Sequence, residues 1–196
     1  MSAIATKTTF TPEELLAMPD GKNYELVDGH LVERKVSTLS SWVAGELFFQ
    51  IRSHCQTNSC GWAFPEGTGF QCFPDAPAKV RKPDVSFIRS ERLPANASTE
   101  GHSSIAPDLA VEVVSPDDLV WEVDQKVDEW LAAGVPLVWV TCPKACAVIV
   151  HRGGGRVSWL AGEDEILGED IVPGFRCRVA AIFPPWAETA PAPRPD

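Results

Sequence analysis

The chain has 196 residues, 44% of them hydrophobic, and a formal net charge of −10. That length and apolar content suit one domain with a full core, and no apolar run approaches the ~18 to 20 residues that cross a bilayer, which excludes a membrane-spanning helix. The acidic balance argues against binding nucleic acid by bulk charge, because non-specific affinity comes mainly from Lys and Arg neutralising phosphates.

The first ten residues lack the long apolar block of a signal peptide and read as a flexible start, so a cytoplasmic protein is expected. Thr11-Pro12-Glu13-Glu14 opens a short helix with Thr11 as N-cap, Pro12 in the first helical position and Glu14 placed to close a capping box. Tyr24 to Val27 and Leu31 to Glu33 flank Asp28-Gly29, a pair that favours a tight type I′ turn, and predict a β-hairpin. From Thr38 to His54, Val43, Leu47 and Ile51 recur every four residues, with Trp42, Phe48 and Phe49 widening the stripe, which predicts a buried amphipathic helix. Gly61 to Phe73 reads as one or two strands with a turn near Glu66-Gly67. Val85 to Ile88 is a short apolar strand, and Arg89 to Ala106 is a polar, turn-rich loop.

Leu109 to Val114 is bounded by Pro107-Asp108 and Ser115-Pro116, as a central buried strand should be. Ser115 to Asp118 supplies caps for a helix from Asp118 to Ala133, with Val120, Val123, Val127, Trp130 and Leu131 on its apolar face and Gly134 ending it. Leu137 to Thr141 completes a βαβ unit. Ala147 to His151 and Val157 to Leu160 form a hairpin around the glycines 153 to 155. Ile166 to Val179 is extended structure broken by Pro173-Gly174, and residues 184–196 are a Pro/Ala-rich tail. The order of elements is mixed α/β, with a central sheet flanked by helices, and one domain spans residues 11–183.

Six cysteines are present, but the spacings of Cys55/Cys60 and Cys142/Cys146 match no zinc knuckle, so free thiols are expected. Lys79, Arg81, Lys82, Arg89 and Arg92 cluster around Asp84 and read equally as a phosphate-facing patch or a solvated basic loop. No GxSxG elbow, Walker A loop, GxGxxG turn or HExxH pair occurs.

Three charged residues stand out against the apolar pattern. Glu112 lies within a buried strand, where an unpaired carboxylate costs several kcal/mol and requires a metal, a lysine or an arginine. Asp84 follows Pro83 at the start of a strand, where it either caps a turn or projects into a cleft. At ~100° per residue, Lys126 lies close to Trp130 and Val123 on its helix and points coreward, unlike Asp124, Gln125 and Asp128; a snorkelling surface lysine is the alternative. Two carboxylates and one ammonium form the minimal set for magnesium-assisted phosphodiester hydrolysis. The same three residues would also serve as a structural ion-pair network.

The segments Tyr24-Glu25-Leu26-Val27-Asp28-Gly29, Lys82-Pro83-Asp84-Val85 and Pro107 to Pro116, followed by Lys126, Gly134-Val135 and Val138-Trp139-Val140, resemble the Uma-two family of restriction-endonuclease-like proteins. That family is a branch of the PD-(D/E)XK nuclease superfamily, and the resemblance runs from about Thr11 to Phe183. It implies a restriction-endonuclease-like mixed sheet flanked by helices with an N-terminal hairpin. It matches Asp84 and Glu112 to the superfamily acids, which would hold magnesium, with manganese as a substitute. It matches Glu25 to the hairpin glutamate, which would support the metal, orient the lysine or hold the hairpin together. The superfamily lysine is expected two residues after the second acid, where this chain has Val114; in this branch it moves to the next helix, where Lys126 stands. Family members often carry a histidine near the start of the long helix, where this chain has Leu39-Ser40-Ser41-Trp42, and Glu46 on that helix is the candidate for a superfamily helix acid. The expectation is therefore a metal-dependent endonuclease acting on DNA, working as a homodimer for double-strand cleavage. A catalytically inactive nuclease-like fold serving as a binding or assembly module is the alternative.

Overall fold

A computed structural model of the protein describes residues 9–94 and 100–187. The start expected to be flexible, up to residue 8, and the tail from residue 188 lie outside these residues. Helix α1 (Pro12–Ala17) has the expected capping box between Thr11 and Glu14. Strands β1 (Tyr24–Val27) and β2 (His30–Glu33) pair antiparallel. Both turn residues have positive φ, 50° at Asp28 and 79° at Gly29, as a type I′ turn requires. A Cβ at position 29 would also meet Thr9 at 3.4 Å. Gly29→Ala is therefore expected to lower stability by about 1 kcal/mol, read as a lower urea midpoint at unchanged m-value.

Helix α2 (Thr38–Asn58) starts from a Ser37 cap and stops at Ser59, which takes a left-handed conformation. It buries Val43, Leu47, Ile51 and Cys55, whereas Trp42 and Phe49, expected on the buried stripe, stand 48% and 61% exposed. They lie one residue before and two residues after stripe positions, outside the face that meets the sheet. The ring of Trp186, at the start of the tail, packs edge-on against Trp42.

The central sheet has six strands: β3 (Gly61–Pro65), β4 (Val85–Arg89), β5 (Leu109–Val113), β6 (Leu137–Cys142), β7 (Ala147–Arg152) and β8 (Val157–Ala161), hydrogen-bonded in that order. Only β5 and β6 run parallel, joined through helix α3 (Val120–Ala132); the other neighbours are antiparallel. Of the Gly61 to Phe73 segment, only β3 is a sheet strand; beyond the turn, Phe70 makes single bridges to Arg81 and Ser103. A short antiparallel pair, β9 (Glu165–Leu167) and β10 (Arg176–Arg178), follows.

Strand alternation divides the core in two. Val85, Phe87, Leu109, Val111, Val113 and Trp139 pack under α2 and the C-terminal segment. Ile88, Ala110, Val138 and Val140 pack under Val127 and Trp130 of α3. Glu112 belongs to the second face, so it points toward α3. That helix begins two residues later than expected: Ser115 to Asp118 forms a turn in which Asp118 accepts from the Ser115 amide, and Leu119 is the N-cap residue. Among the described residues, no helix is long and apolar enough to cross a membrane.

Candidate active site

The β4/β5 register decides where the first two acids lie. The ladder pairs Ser86 with Ala110 and Val85 with Val111 and ends there, so Asp84 and Glu112 are the first residues beyond it on the two neighbouring strands. The Asp84 amide donates to Val111 O at 2.9 Å, the residue already paired with Val85, so the regular register stops at Asp84 as it does at a bulge. Both side chains line one cleft, and the Glu112 charge disfavours ionisation of Asp84, as neighbouring carboxylates do. The structure thus sets two carboxylates side by side at the end of the sheet. Asp84 Oδ2 accepts from the Val113 amide at 2.7 Å, and Glu112 Oε1 accepts from the Trp130 indole N–H at 2.8 Å. Trp130 is fully buried, so it fixes one rotamer of the glutamate.

Lys126 stands one helical turn before Trp130, on the face of α3 that meets β5. Its Nζ is 3.2 Å from Glu112 Oε2 and 3.4 Å from Glu25 Oε2. The inward orientation expected from helix geometry is what the structure has. Burial opposes the Lys126 charge, but Glu112, Glu25 and Asp84 outweigh it and raise its pKa above the usual lysine range. At neutral pH it is an ammonium, a donor and not a base.

Glu25 arrives from the hairpin. Leu26 and Val80 exchange both backbone hydrogen bonds at 2.9 Å, which docks β1 beside the segment before Asp84 and turns Glu25 inward. Its Oε1 accepts from the Lys82 amide at 2.8 Å, and its Oε2 lies 2.9 Å from Arg81 Nη1. Burial would raise the Glu25 pKa, yet Lys126 and Arg81 hold it below the usual carboxylate range. With both oxygens engaged by protein donors, Glu25 is placed to orient Lys126 and tie the hairpin down.

The basic cluster read from the sequence is mostly consumed within the protein. Lys79 and Arg81 both bind Glu129 at 2.7 Å, Lys82 donates to Gly21 O, and Arg92 binds Asp108. Of these five side chains, only Arg81 lines the cleft beside the acids. The cleft encloses about 380 Å³ between the hairpin and α3, and its other cations are Arg34, Lys35 and Lys126. Glu46 bonds Gln50 on α2 and is not part of the cleft wall.

Sequence reasoning missed two residues. Arg34 Nη2 lies 2.8 Å from Asp84 Oδ1, and Trp130 had been read only as core. The signal for Arg34 was weak: it is a cation just past a hairpin whose docking had to be known first. Trp130 carried a signal in its N–H, which must find an acceptor when buried.

Burial, then repulsion from Glu112, pushes the Asp84 pKa up to about 7, against the pull of Arg34. The folded carboxyl therefore keeps its proton up to about pH 7, whereas the unfolded one releases it near pH ~4. Between those values the native state binds more protons, so stability falls as pH rises and the penalty is constant above about 7. Asp84→Asn should remove that slope and raise stability at pH 8 by about 1–3 kcal/mol, measured by denaturant unfolding from pH 4 to 8.

Among the described residues, no group of three or more His, Cys, Asp or Glu side chains is arranged to hold a metal. Magnesium, however, needs only one or two carboxylates and takes the rest from water and phosphate. Two hard oxygen donors whose repulsion a divalent cation relieves fit that ion. All six cysteines are free thiols and are absent from the cleft lining.

A mixed sheet with a central parallel pair, two acids at its end and a lysine on the crossover helix defines a restriction-endonuclease-like fold. The sequence matches the Uma2 family, described as "Putative restriction endonuclease", over residues 12–180, and the chain belongs to that family. It is similar in fold to a solved structure titled a putative nuclease belonging to DUF820, from Anabaena variabilis ATCC 29413. The TM-score is 0.74 at 20% identity, covering 89% of this chain and 97% of the other. A comparison with curated proteins finds no match.

Proposed function

We propose that the protein is a metal-dependent endonuclease that hydrolyses DNA phosphodiester bonds. The observation that carries this reading is that Asp84 and Glu112, on neighbouring strands, line one cleft with Lys126, whose Nζ is 3.2 Å from the glutamate. Asp84 and Glu112 would hold magnesium, or manganese in its place. Bound there, the ion would activate a coordinated water and neutralise charge on the scissile phosphate. Lys126, kept protonated by its three acidic neighbours, orients the nucleophile and stabilises the developing negative charge. Glu25, itself fixed by Arg81 and the Lys82 amide, positions that lysine. The family and the structural neighbour, both named for nucleases, support the assignment. Two copies acting together would be needed to cut both strands of a duplex, since this reading gives each chain one site.

Purified protein should convert supercoiled plasmid to the nicked form with magnesium or manganese and stop when EDTA removes the ion. Failure with both metals would remove the reading. The internal pairing of the basic cluster and the charge of −10 favour a second one, a catalytically inactive fold used as a binding or assembly module. Nicking activity that depends on Asp84 excludes it.

A further inference from the structure

The contact between Arg34 and Asp84 has no part in the hydrolysis just described. Arg34 stands immediately after β2, its backbone N–H donating a hydrogen bond to Asn23 O at 2.8 Å. Its side chain is 10% exposed and reaches across the cleft floor to Asp84 Oδ1, with Glu66 Oε2 at 3.7 Å on its other side. The guanidinium thus has two carboxylate partners at different distances, one in the acid pair and one, Glu66, outside the cleft lining. Glu66 is 47% exposed and Asp84 19%. Arg34 is anchored at its backbone, and its side chain is a long stem with a planar fork that matches carboxylate and phosphate equally well.

A divalent cation on Asp84 would draw on the carboxylate that Arg34 neutralises, and two cations at one carboxylate repel. We infer that Arg34 is a charge-responsive clamp: it neutralises Asp84 in the resting site, gives that carboxylate up to the metal, and turns its fork within the cleft to a phosphate of the nucleic acid. The inference rests on the proposed metal-dependent reading and makes Arg34 a positioning residue for the substrate backbone. It also supplies a mobile phosphate ligand to a chain whose other basic residues near Asp84 are mostly held in internal pairs.

Two binding measurements on the full chain test it, neither of which requires turnover. Manganese affinity is measured by titration with detection of the bound ion's paramagnetic signal, for the wild type, Arg34→Met, Arg34→Lys and Asp84→Asn. Binding of a fluorescent DNA duplex is measured in calcium, as a function of salt. Arg34→Met should bind manganese about tenfold more tightly, because the competing cation is gone, and should bind DNA about tenfold more weakly. Its log–log salt slope should fall by about 0.9, the loss of one phosphate contact. Arg34→Lys, which keeps the charge without the fork, should stay near wild type in manganese affinity while losing part of the DNA affinity, and it stands in if the methionine variant misfolds. Unchanged or weaker manganese binding in Arg34→Met, or an unchanged salt slope, overturns the clamp. If Asp84→Asn abolishes manganese binding while Arg34→Met leaves it unchanged, the clamp fails and the metal site stands; if manganese binding is indifferent to both positions, both fail.

Discussion

Glu112→Gln is expected to lower metal-dependent nicking of plasmid DNA by at least ~10²-fold while leaving the fold intact. The substitution preserves volume, and the amide oxygen still accepts from the Trp130 indole, which now lies 2.8 Å from Oε1. What changes is charge: the hard anionic donor beside Asp84 is lost, and Lys126 loses the partner that lies 3.2 Å from its Nζ. An unchanged far-ultraviolet circular dichroism spectrum together with collapsed activity would separate chemistry from folding. If the variant cuts as fast as the wild type, Glu112 is only a structural acid and the proposed mechanism is wrong. Lys126→Met should reduce the rate by a similar factor, since its ammonium is the only cation in contact with both Glu112 and Glu25 among the described ion pairs.

The largest effect on stability is expected at Arg81, outside the reacting groups. Its guanidinium links Glu25, 1% exposed, to Glu129 on α3, so one side chain braces the docked hairpin against the crossover helix. Removing it takes one of two cations from each carboxylate, leaving Lys126 on Glu25 and Lys79 on Glu129, and costs about 3 kcal/mol. Arg81→Met should therefore lower the melting temperature by about 10 °C. Adding Glu25→Gln should restore part of that loss, because the buried charge that Arg81 helped to neutralise is then removed, although Lys126 loses a partner. A double variant no more stable than Arg81→Met alone would show that Arg81 acts through packing of its stem. The network explains why Glu25 is held below the ordinary carboxylate range despite burial.

The elements were legible where local chemistry specifies them. Thr11 and Glu14 spell a capping box, Asp28-Gly29 spells a type I′ turn, and the helical period of α3 puts Lys126 on the sheet side; the structure has all three. Boundaries were less legible. Ser115 and Asp118 resemble helix caps, but the same hydrogen-bonding capacity closes a turn instead, because side-chain acceptors serve either geometry. Trp42 and Phe49 misled through hydrophobicity alone, since an apolar residue off the buried stripe stays exposed.

By itself, then, the sequence determined which residues were out of keeping with their elements: an acid in an apolar strand and a lysine on a core-facing helical position. Both follow from the periods of strand and helix, which are local properties of the backbone. Only the tertiary structure decided that Asp84 and Glu112 line one cleft, that Glu25 reaches Lys126 through the docked hairpin, and that Arg34 lies on Asp84. Those placements depend on strand register and on the Leu26–Val80 bridge. Such contacts join residues far apart in the chain, and they are selected by burial of whole faces, which no local propensity encodes.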